Sequence, residues 1–246
     1  MIGSCTINGI DISTLGMIVM RGSDNDLLAF PERREPPQND WFEESGIDAY
    51  LAEPRFNTKR VVMKFFLSAP DGDGYLSRLN AFRELLYGSA QTGYRALFLN
   101  ELNHTYMLRL VDVSDYKHKG GLASMLRKTG EVTCVFEMDN PLSNIALNVL
   151  VPVSERPTLA NVSLNGYDLS KFGIIVKDIY STALRIGKPK PGLTRTFEHL
   201  NGAISDVGYV LKRTGRQIIV DCTMMASTRE EFYANRNALF NNLTLS

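Results

Sequence analysis

The stretch TINGIDISTLGMIV, from Thr6 to Val19, occurs a second time as SLNGYDLSKFGIIV, from Ser163 to Val176. In their shared part, Asn8–Val19 against Asn165–Val176, seven of twelve positions are identical at a constant offset of 157 residues. A fixed offset between two similar stretches is the sequence signature of a structural unit that is used twice. We therefore predict that the chain contains an internal repeat.

Each copy opens with Asn-Gly between two short β-prone runs. Asn-Gly is the strongest short hairpin signal, because a type I′ turn needs a positive φ at both central residues. A second glycine follows in each copy and precedes a short β-branched run, which predicts a strand. The predicted turn residues are Asn8, Gly9 and Gly16 in the first copy, and Asn165, Gly166 and Gly173 in the second.

The same offset extends beyond the hairpins. It aligns Lys59–Ala69, KRVVMKFFLSA, with Arg216–Ala226, RQIIVDCTMMA, and both stretches predict strands. A helix with one apolar stripe is predicted after each strand. The stripes are Tyr75, Leu76, Leu79, Phe82, Leu85 and Leu86, then Phe232, Tyr233, Leu239, Phe240 and Leu243. The predicted caps are Asp73 and Gly88 for the first helix, and a capping box of Thr228 with Glu231 for the second.

Only the first copy continues past its helix. Tyr94–Val113 predicts two strands joined by NELNH, Asp115–Gly130 a basic connection, and Glu131–Asp139 a closing strand. In the closing strand Val132, Cys134 and Phe136 are predicted to point inward. The second copy lacks these three strands, which leaves sheet edges that proteins usually cover. We expect the first domain, a neighbouring subunit, or both to complete that sheet.

These patterns predict the domain organisation and the fold class. Residues 1–151 form a complete domain, residues 152–158 a linker with Pro152 and Pro157, and residues 159–246 a partial second copy. The class is α+β, mostly β with one helix per unit. The architecture is a β-sandwich flanked by a helix, partially duplicated.

The order of these features resembles the N-terminal domain of siphophage distal tail (Dit-like) proteins. The resemblance rests on the Asn-Gly-x-Asp-x-Ser hairpin, the long Pro-bearing loop, the KRVVMKFFLSA strand, the helix, and the closing run VFEMDNPLS, residues 135–143. That family is similar to tail-tube proteins, which have a helix-flanked β-sandwich. Two features differ from the family. The glycine-rich loop segment is here WFEESGIDAY, with Gly46 alone, and a partial second copy replaces the carbohydrate-binding module of well-known members.

The resemblance implies a structural component of a phage or prophage tail tip or baseplate. Such subunits form a ring that joins the tail tube to the hub and lets DNA pass through its lumen. The implied partners are therefore further copies of this chain, the tube and hub proteins, and DNA as passing cargo, and the implied location is the virion tail. A hexamer is favoured. Three chains with two units each would give a pseudo-sixfold ring as the alternative.

Composition and motifs argue against other classes. Acidic and basic residues balance at 27 each, which excludes the basic excess of a dedicated nucleic-acid binder. The sequence contains no run of 18 apolar residues, so it predicts no membrane-spanning helix. No nucleotide-binding, nucleophile-elbow or metal-ligand spacing occurs, so we expect no enzyme, no cofactor and no metal. The motif DGDG at Asp71–Gly74 predicts a turn that caps the helix, rather than a calcium loop. Two alternatives remain: a β-sandwich carbohydrate- or receptor-binding module, and an enzyme of unrecognised type.

Two stretches are candidates for contacts. PERREPPQNDWFEE surrounds the only tryptophan and is either a subunit-contact arm or a surface loop with one buried anchor. Its candidate interface residues are Arg33, Arg34, Trp41 and Phe42. The basic stretch YKHKGGLASMLRK is a lumen loop, an inter-ring loop or a solvated loop. Its candidate residues are Lys117, Lys119, Arg127 and Lys128.

Overall fold

A computed structural model describes residues 5–88, 93–119, 128–154, 162–192, 194–196, 198–199, 201–205 and 208–244. The strands are β1 (Cys5–Ile7), β2 (Ile10–Asp11), β3 (Met17–Val19), β4 (Gln38–Asn39), β5 (Asp48–Ala49), β6 (Lys59–Ala69), β7 (Tyr94–Leu99), β8 (His104–Lys119), β9 (Lys128–Met138), β10 (Ser163–Leu164), β11 (Tyr167–Asp168), β12 (Ile174–Asp178), β13 (Thr194–Thr196), β14 (Ala203–Ser205) and β15 (Asp221–Met224). The helices are α1 (Asn25–Leu28), α2 (Gly72–Tyr87), α3 (Tyr180–Ala183) and α4 (Arg229–Thr244). The predicted α+β class, mostly β with a few helices, is confirmed.

The chain divides into two compact units. Unit 1 comprises Met1–Arg33 and Phe56–Ala146, and unit 2 comprises Arg34–Arg55 and Leu147–Ser246. The second boundary lies near the predicted domain end at residue 151. The long loop of the first half differs from the prediction, because residues 34–55 group with the C-terminal half. No helix in the described ranges is long and apolar enough to cross a membrane.

Unit 1 is built on one antiparallel sheet of seven strands, in the order β2-β1-β7-β8-β9-β6-β3. The longest pairing joins β6 to β9 over eleven residues, from Lys59↔Met138 to Ala69↔Lys128. Alternate residues of β6 are buried, and α2 packs its apolar stripe against the same core. The inward positions predicted for β9 are confirmed, since Val132, Cys134 and Phe136 are buried.

The connection between β8 and β9 is shorter than predicted. Residues 115–119 continue β8 and residues 128–130 begin β9, so half of the predicted connection lies in strands. The other half, residues 120–127, lies outside the described part. Pairing continues from Asp115↔Thr133 to Lys119↔Thr129. Polar side chains fit a strand whose outer face is solvated, which is why polarity alone mispredicted this segment.

Helix α2 begins at a different cap from the predicted one. The N-cap is Asp71, whose carboxylate accepts the N–H of Gly74 at 2.7 Å, while Asp73 lies in the first turn. The predicted C-cap Gly88 is confirmed, and its N–H donates to the Glu84 carbonyl. Of the predicted stripe, Leu76 is exposed and the other members are buried. The DGDG motif therefore starts a helix, as predicted.

The two Asn-Gly hairpins have the same local geometry. Asn8 and Gly9 have φ of 51° and 80°, and Asn165 and Gly166 have φ of 49° and 82°, as a type I′ turn requires. Each hairpin leads into one 3-10 turn. Asp11 and Asp168 cap the two turns by accepting the N–H two residues ahead, and the left-handed glycines Gly16 and Gly173 end them.

The strand pairs that follow also agree residue by residue. In unit 1, β3 pairs with β6 through Met17↔Leu67, Ile18↔Phe66 and Val19↔Phe65. In unit 2, β12 pairs with β15 through Ile174↔Met224, Ile175↔Thr223 and Val176↔Cys222. Every one of these six positions keeps the 157-residue offset that aligns the two hairpins. The second strand is shorter than predicted, because Arg216–Val220 pairs with no strand in the described part of unit 2.

Helix α4 of unit 2 has the predicted start and an unpredicted buried face. The Thr228 hydroxyl accepts the N–H of Glu231, and the Glu231 carboxylate accepts the N–H of Ser227, one residue before the expected partner. Leu243, which the stripe placed in the core, is half exposed. The buried positions include four polar residues, namely Asn235, Arg236, Asn241 and Asn242.

The asparagines of α4 hold the segment that joins the two units. Asn241 Nδ2 donates to the Val149 carbonyl at 2.6 Å, and Asn242 Nδ2 donates to the Leu150 carbonyl at 2.7 Å. The Val153 N–H donates to Asn235 Oδ1 at 2.8 Å. Residues 149–153 are therefore bound to unit 2, whereas residues 155–158 of the predicted linker lie outside the described part.

Candidate subunit interface

The segment Arg34–Arg55 is the long Pro-bearing loop of the sequence, and in unit 2 it forms a closed excursion. Its ends meet where the Arg34 N–H donates to the Arg55 carbonyl at 2.7 Å. Inside it, β4 and β5 pair through Gln38↔Ala49 and Asn39↔Asp48. Pro36 and Pro37 in the first part limit regular structure, which explains why only two-residue strands form.

A buried lysine fixes this segment to the rest of unit 2. The Lys190 side chain is 4% exposed and forms an ion pair with Asp40. Its Nζ also donates to the Trp41 carbonyl at 2.6 Å and to the Gly46 carbonyl at 3.0 Å. The three N–H groups of one ammonium thus have three acceptors in one short segment. Burial of a charged group is costly unless hydrogen bonds and an opposite charge replace its lost hydration, and Lys190 has both.

Further contacts near Lys190 also attach the segment to the rest of unit 2. The Gly46 N–H donates to the Arg213 carbonyl at 2.8 Å. The rings of Phe42 and Tyr209 lie 5.6 Å apart between centroids, and the Tyr209 hydroxyl donates to the Lys190 carbonyl at 2.7 Å. Backbone, aromatic and charged contacts therefore hold the segment in one place. Sequence reasoning missed Lys190, because nothing in GKPKPG distinguishes it from the exposed Lys188.

The anchored segment presents large apolar side chains to solvent. Trp41 is 52% exposed, and Ile47, Tyr50 and Leu51 are about as exposed or more. We call these four residues the apolar arm surface. Aromatic residues are common among interface hot spots. Side chains on a fixed backbone lose little conformational entropy when another surface binds them. The arrangement suits the binding of another protein surface.

The structure separates the four predicted interface residues. Trp41 is not the buried anchor of the surface-loop alternative, and its neighbour Phe42 is half-buried in contact with Tyr209. Arg34 is exposed at the start of the segment. Arg33 belongs to unit 1, where it forms an isolated bridge with Phe56. A contact with another subunit remains a prediction for all four.

The residues of the basic stretch do not form one loop. Lys117 is exposed in β8 and pairs with Asp115 at 3.2 Å, and Lys119 ends the same strand. Lys128 begins β9 opposite Ala69 and is 3% exposed, so it is not the loop residue that the sequence predicted. Arg127 lies outside the described residues. A lumen or inter-ring role stays a prediction for the exposed members.

The two buried cysteines, Cys5 and Cys134, offer little nucleophilic chemistry. Burial, with a smaller contribution from Asp11, raises the pKa of the Cys5 thiol to about 12. Burial, with a smaller contribution from Asp112, likewise raises the pKa of Cys134 to about 12. Thiols with such pKa values are protonated at neutral pH, and the thiolate is the reactive form. Cys222 is the exposed one of the three.

The fold and the site together define an α+β protein with a fixed, exposed apolar arm. No family model matches the chain, and no curated protein does. Among solved structures, it is similar to SPP1 Dit, described as a paradigm of the hub adsorption apparatus in phages that infect Gram-positive bacteria. The identity is 12% and the TM-score 0.41. The match covers 57% of this chain and 51% of that one, so the chain spans about half the length of that structure.

Proposed function

We propose that this protein is a structural component of a phage or prophage tail tip or baseplate and acts by assembly. Copies of the chain form a ring, with six chains favoured, that joins the tail tube to the hub in the virion tail. DNA passes through the ring as cargo. The role is mechanical and not enzymatic.

One observation carries this proposal: the chain holds exposed apolar side chains on an anchored backbone. The arm segment is fixed by Lys190, yet it leaves Trp41, Tyr50 and Leu51 in solvent. Large aromatic residues held in this way are typical of surfaces that another subunit covers. The element order of unit 1 supports the tail assignment through its resemblance to distal tail proteins.

Electron microscopy of the purified chain tests the proposal. Negative-stain images should show rings with a central opening, and light scattering should give a mass of six chains, or three for the pseudo-sixfold alternative. Measurement over a range of concentrations and salt separates specific rings from aggregates. A chain that stays monomeric at every concentration, alone and with tube protein, would contradict the proposal, and glycan binding by that monomer would favour the carbohydrate-binding alternative.

A further inference from the structure

The seven-stranded sheet of unit 1 shows what unit 2 lacks. In unit 1 three strands, β7, β8 and β9, lie between β1 and β6 and pair with both. At the 157-residue offset, β10 corresponds to β1 and β15 to β6. In the described part of unit 2, β10 pairs with β11 alone and β15 with β12 alone. In unit 1 the edges of β1 and β6 enclose three strands, whereas the corresponding edges of β10 and β15 have no further strand partner in the described part of unit 2.

The backbone direction of the β15 edge follows from hydrogen bonds that both units share. The Ser68 N–H donates to the Gly16 carbonyl in unit 1, and the Met225 N–H donates to the Gly173 carbonyl in unit 2. Because strand N–H groups alternate between the two sides, residues 65 and 67 of β6 face β9. Their counterparts Cys222 and Met224 face away from β12 in the same way.

The alternation continues before β15. The Ile219 N–H donates to Thr182 Oγ1 at 2.9 Å, just as the N–H of its counterpart Val62 donates to Asp26 Oδ2 at 2.9 Å. The N–H groups on either side of Ile219, those of Ile218 and Val220, therefore point to the open side. An edge with four outward N–H groups, at residues 218, 220, 222 and 224, is a template for strand addition.

The side chains next to this edge are apolar, and they are more exposed than their buried counterparts in unit 1. Val61, Met63 and Leu86 are buried in unit 1. Their counterparts in unit 2 are 47% exposed for Ile218, 38% for Val220 and 50% for Leu243. The residues stay apolar although they face solvent, which indicates that a further layer of protein covers them.

We propose that unit 2 binds a three-stranded antiparallel β-sheet whose strands come from outside residues 1–246. The outer strands of that sheet pair with β10 and β15, and its apolar side chains cover Ile218, Val220 and Leu243. Strands β7, β8 and β9 of a second copy are not the donors, because they are already paired with that copy's own β1 and β6. This inference rests on the correspondence between the units and does not depend on the tail assignment.

A tethered donor tests whether the gap accepts these strands. In the test variant, Thr244 is followed by a second copy of residues 88–139, which is where the 157-residue offset places them. The added copy carries Cys134→Ala, so that Cys222 stays the only exposed thiol. Tethering supplies a high effective concentration of the probe. Labelling of Cys222 by a disulfide reagent should slow by about 100-fold, and amide exchange at residues 220 and 222 should slow similarly.

Proline substitution provides the matched control. Val220→Pro removes an N–H that faces the open edge, so the unextended chain should keep its circular dichroism and unfolding midpoint. In the extended variant Val220→Pro should restore fast labelling of Cys222, whereas Val220→Ala, which keeps the N–H, should not.

Two results would overturn the inference. In the first, the added strands leave Cys222 labelling and amide exchange unchanged. In the second, the unextended chain already protects residues 220 and 222, and Val220→Pro converts a dimer to a monomer in sedimentation. The second result would assign the edge to another copy of this chain.

Discussion

Single residues decide how the arm segment is held. Lys190 donates to two backbone carbonyls and pairs with Asp40, while its neighbour Lys188 lies in solvent. The two residues have the same side chain and lie two positions apart in the sequence. Only the acceptors that surround each ammonium distinguish a structural lysine from a solvated one.

Replacing Lys190 should therefore loosen the arm. Lys190→Met leaves the Trp41 and Gly46 carbonyls without their donor. We expect the free energy of unfolding to fall by about 1–3 kcal/mol. Limited proteolysis should cut residues 34–55 faster, and urea titration should give the loss of stability. Lys188→Met is the matched control and should change neither measurement; equal effects of both variants would contradict the anchoring role.

A second residue-scale prediction concerns the glycines of the second hairpin and turn. Gly173 has φ of 70° and its Cβ would collide with the Met225 carbonyl, whereas Gly166 has φ of 82° and open space around it. Alanine at either position bears the strain of a left-handed backbone, about 1 kcal/mol. Gly173→Ala should cost at least about 2 kcal/mol more, because the backbone must also move. Thermal unfolding of both variants measures the difference.

At the scale of elements, the two long helices differ in what they bury. Helix α2 buries Leu85 in the core of unit 1, and the counterpart in α4 is Asn242. The asparagine side chain binds the Leu150 carbonyl, so polar contacts to a backbone segment replace part of an apolar core. A stripe of apolar residues predicts a helix in both cases, but it does not reveal which polar positions are buried.

The N-cap of α2 gives the first element-scale prediction. Asp71→Ala removes the carboxylate that accepts the Gly74 N–H and should destabilise unit 1 by about 1 kcal/mol. Asp73→Ala, the control in the same motif, removes only a favourable charge in the first turn and should cost a few tenths of a kcal/mol. Urea denaturation compares the two. A larger effect at Asp73 would return the cap to the position that the sequence predicted.

The second element-scale prediction concerns the asparagines of α4. Asn242→Ala removes the donor to the Leu150 and Ala238 carbonyls and should destabilise unit 2 by about 1–3 kcal/mol. Amide exchange at Val153 should quicken, because the bound segment is released locally. Glu230→Ala, on the exposed start of the same helix, is the control and should leave that amide unchanged.

At the scale of the whole molecule, the proposed ring would form through the exposed apolar residues of the arm. Trp41→Ala should weaken ring formation by about 30-fold or more in the midpoint concentration, the size typical of an interface tryptophan. The unfolding midpoint of the monomer should hardly change, because half of the side chain is already in solvent. Light scattering over a dilution series measures the effect. Tyr180→Ala, another exposed aromatic of unit 2, is the control.

The local elements were predictable because their signals are local. The Asn-Gly turns, the turn glycines Gly16 and Gly173, the β9 alternation and the cap at Thr228 all depend on neighbours within a few residues. The limits of β8, β9 and β15 were not predictable, since a strand extends only as far as its partner does. The candidate site divides similarly: composition indicated the arm around Trp41, but nothing local indicated Lys190.

The sequence by itself determined the repeated phrase at residues 8–19 and 165–176, the turns it forms, and the α+β class, because backbone dihedrals and hydrophobic periodicity are properties of short stretches. Only the tertiary structure decided that residues 34–55 pack in unit 2 around Lys190, that Trp41 faces solvent, and that β15 pairs with β12 alone among the described residues. Those features depend on contacts between residues far apart in the sequence, such as Trp41 and Lys190, which are 149 positions apart, and no pattern within a short window encodes such contacts.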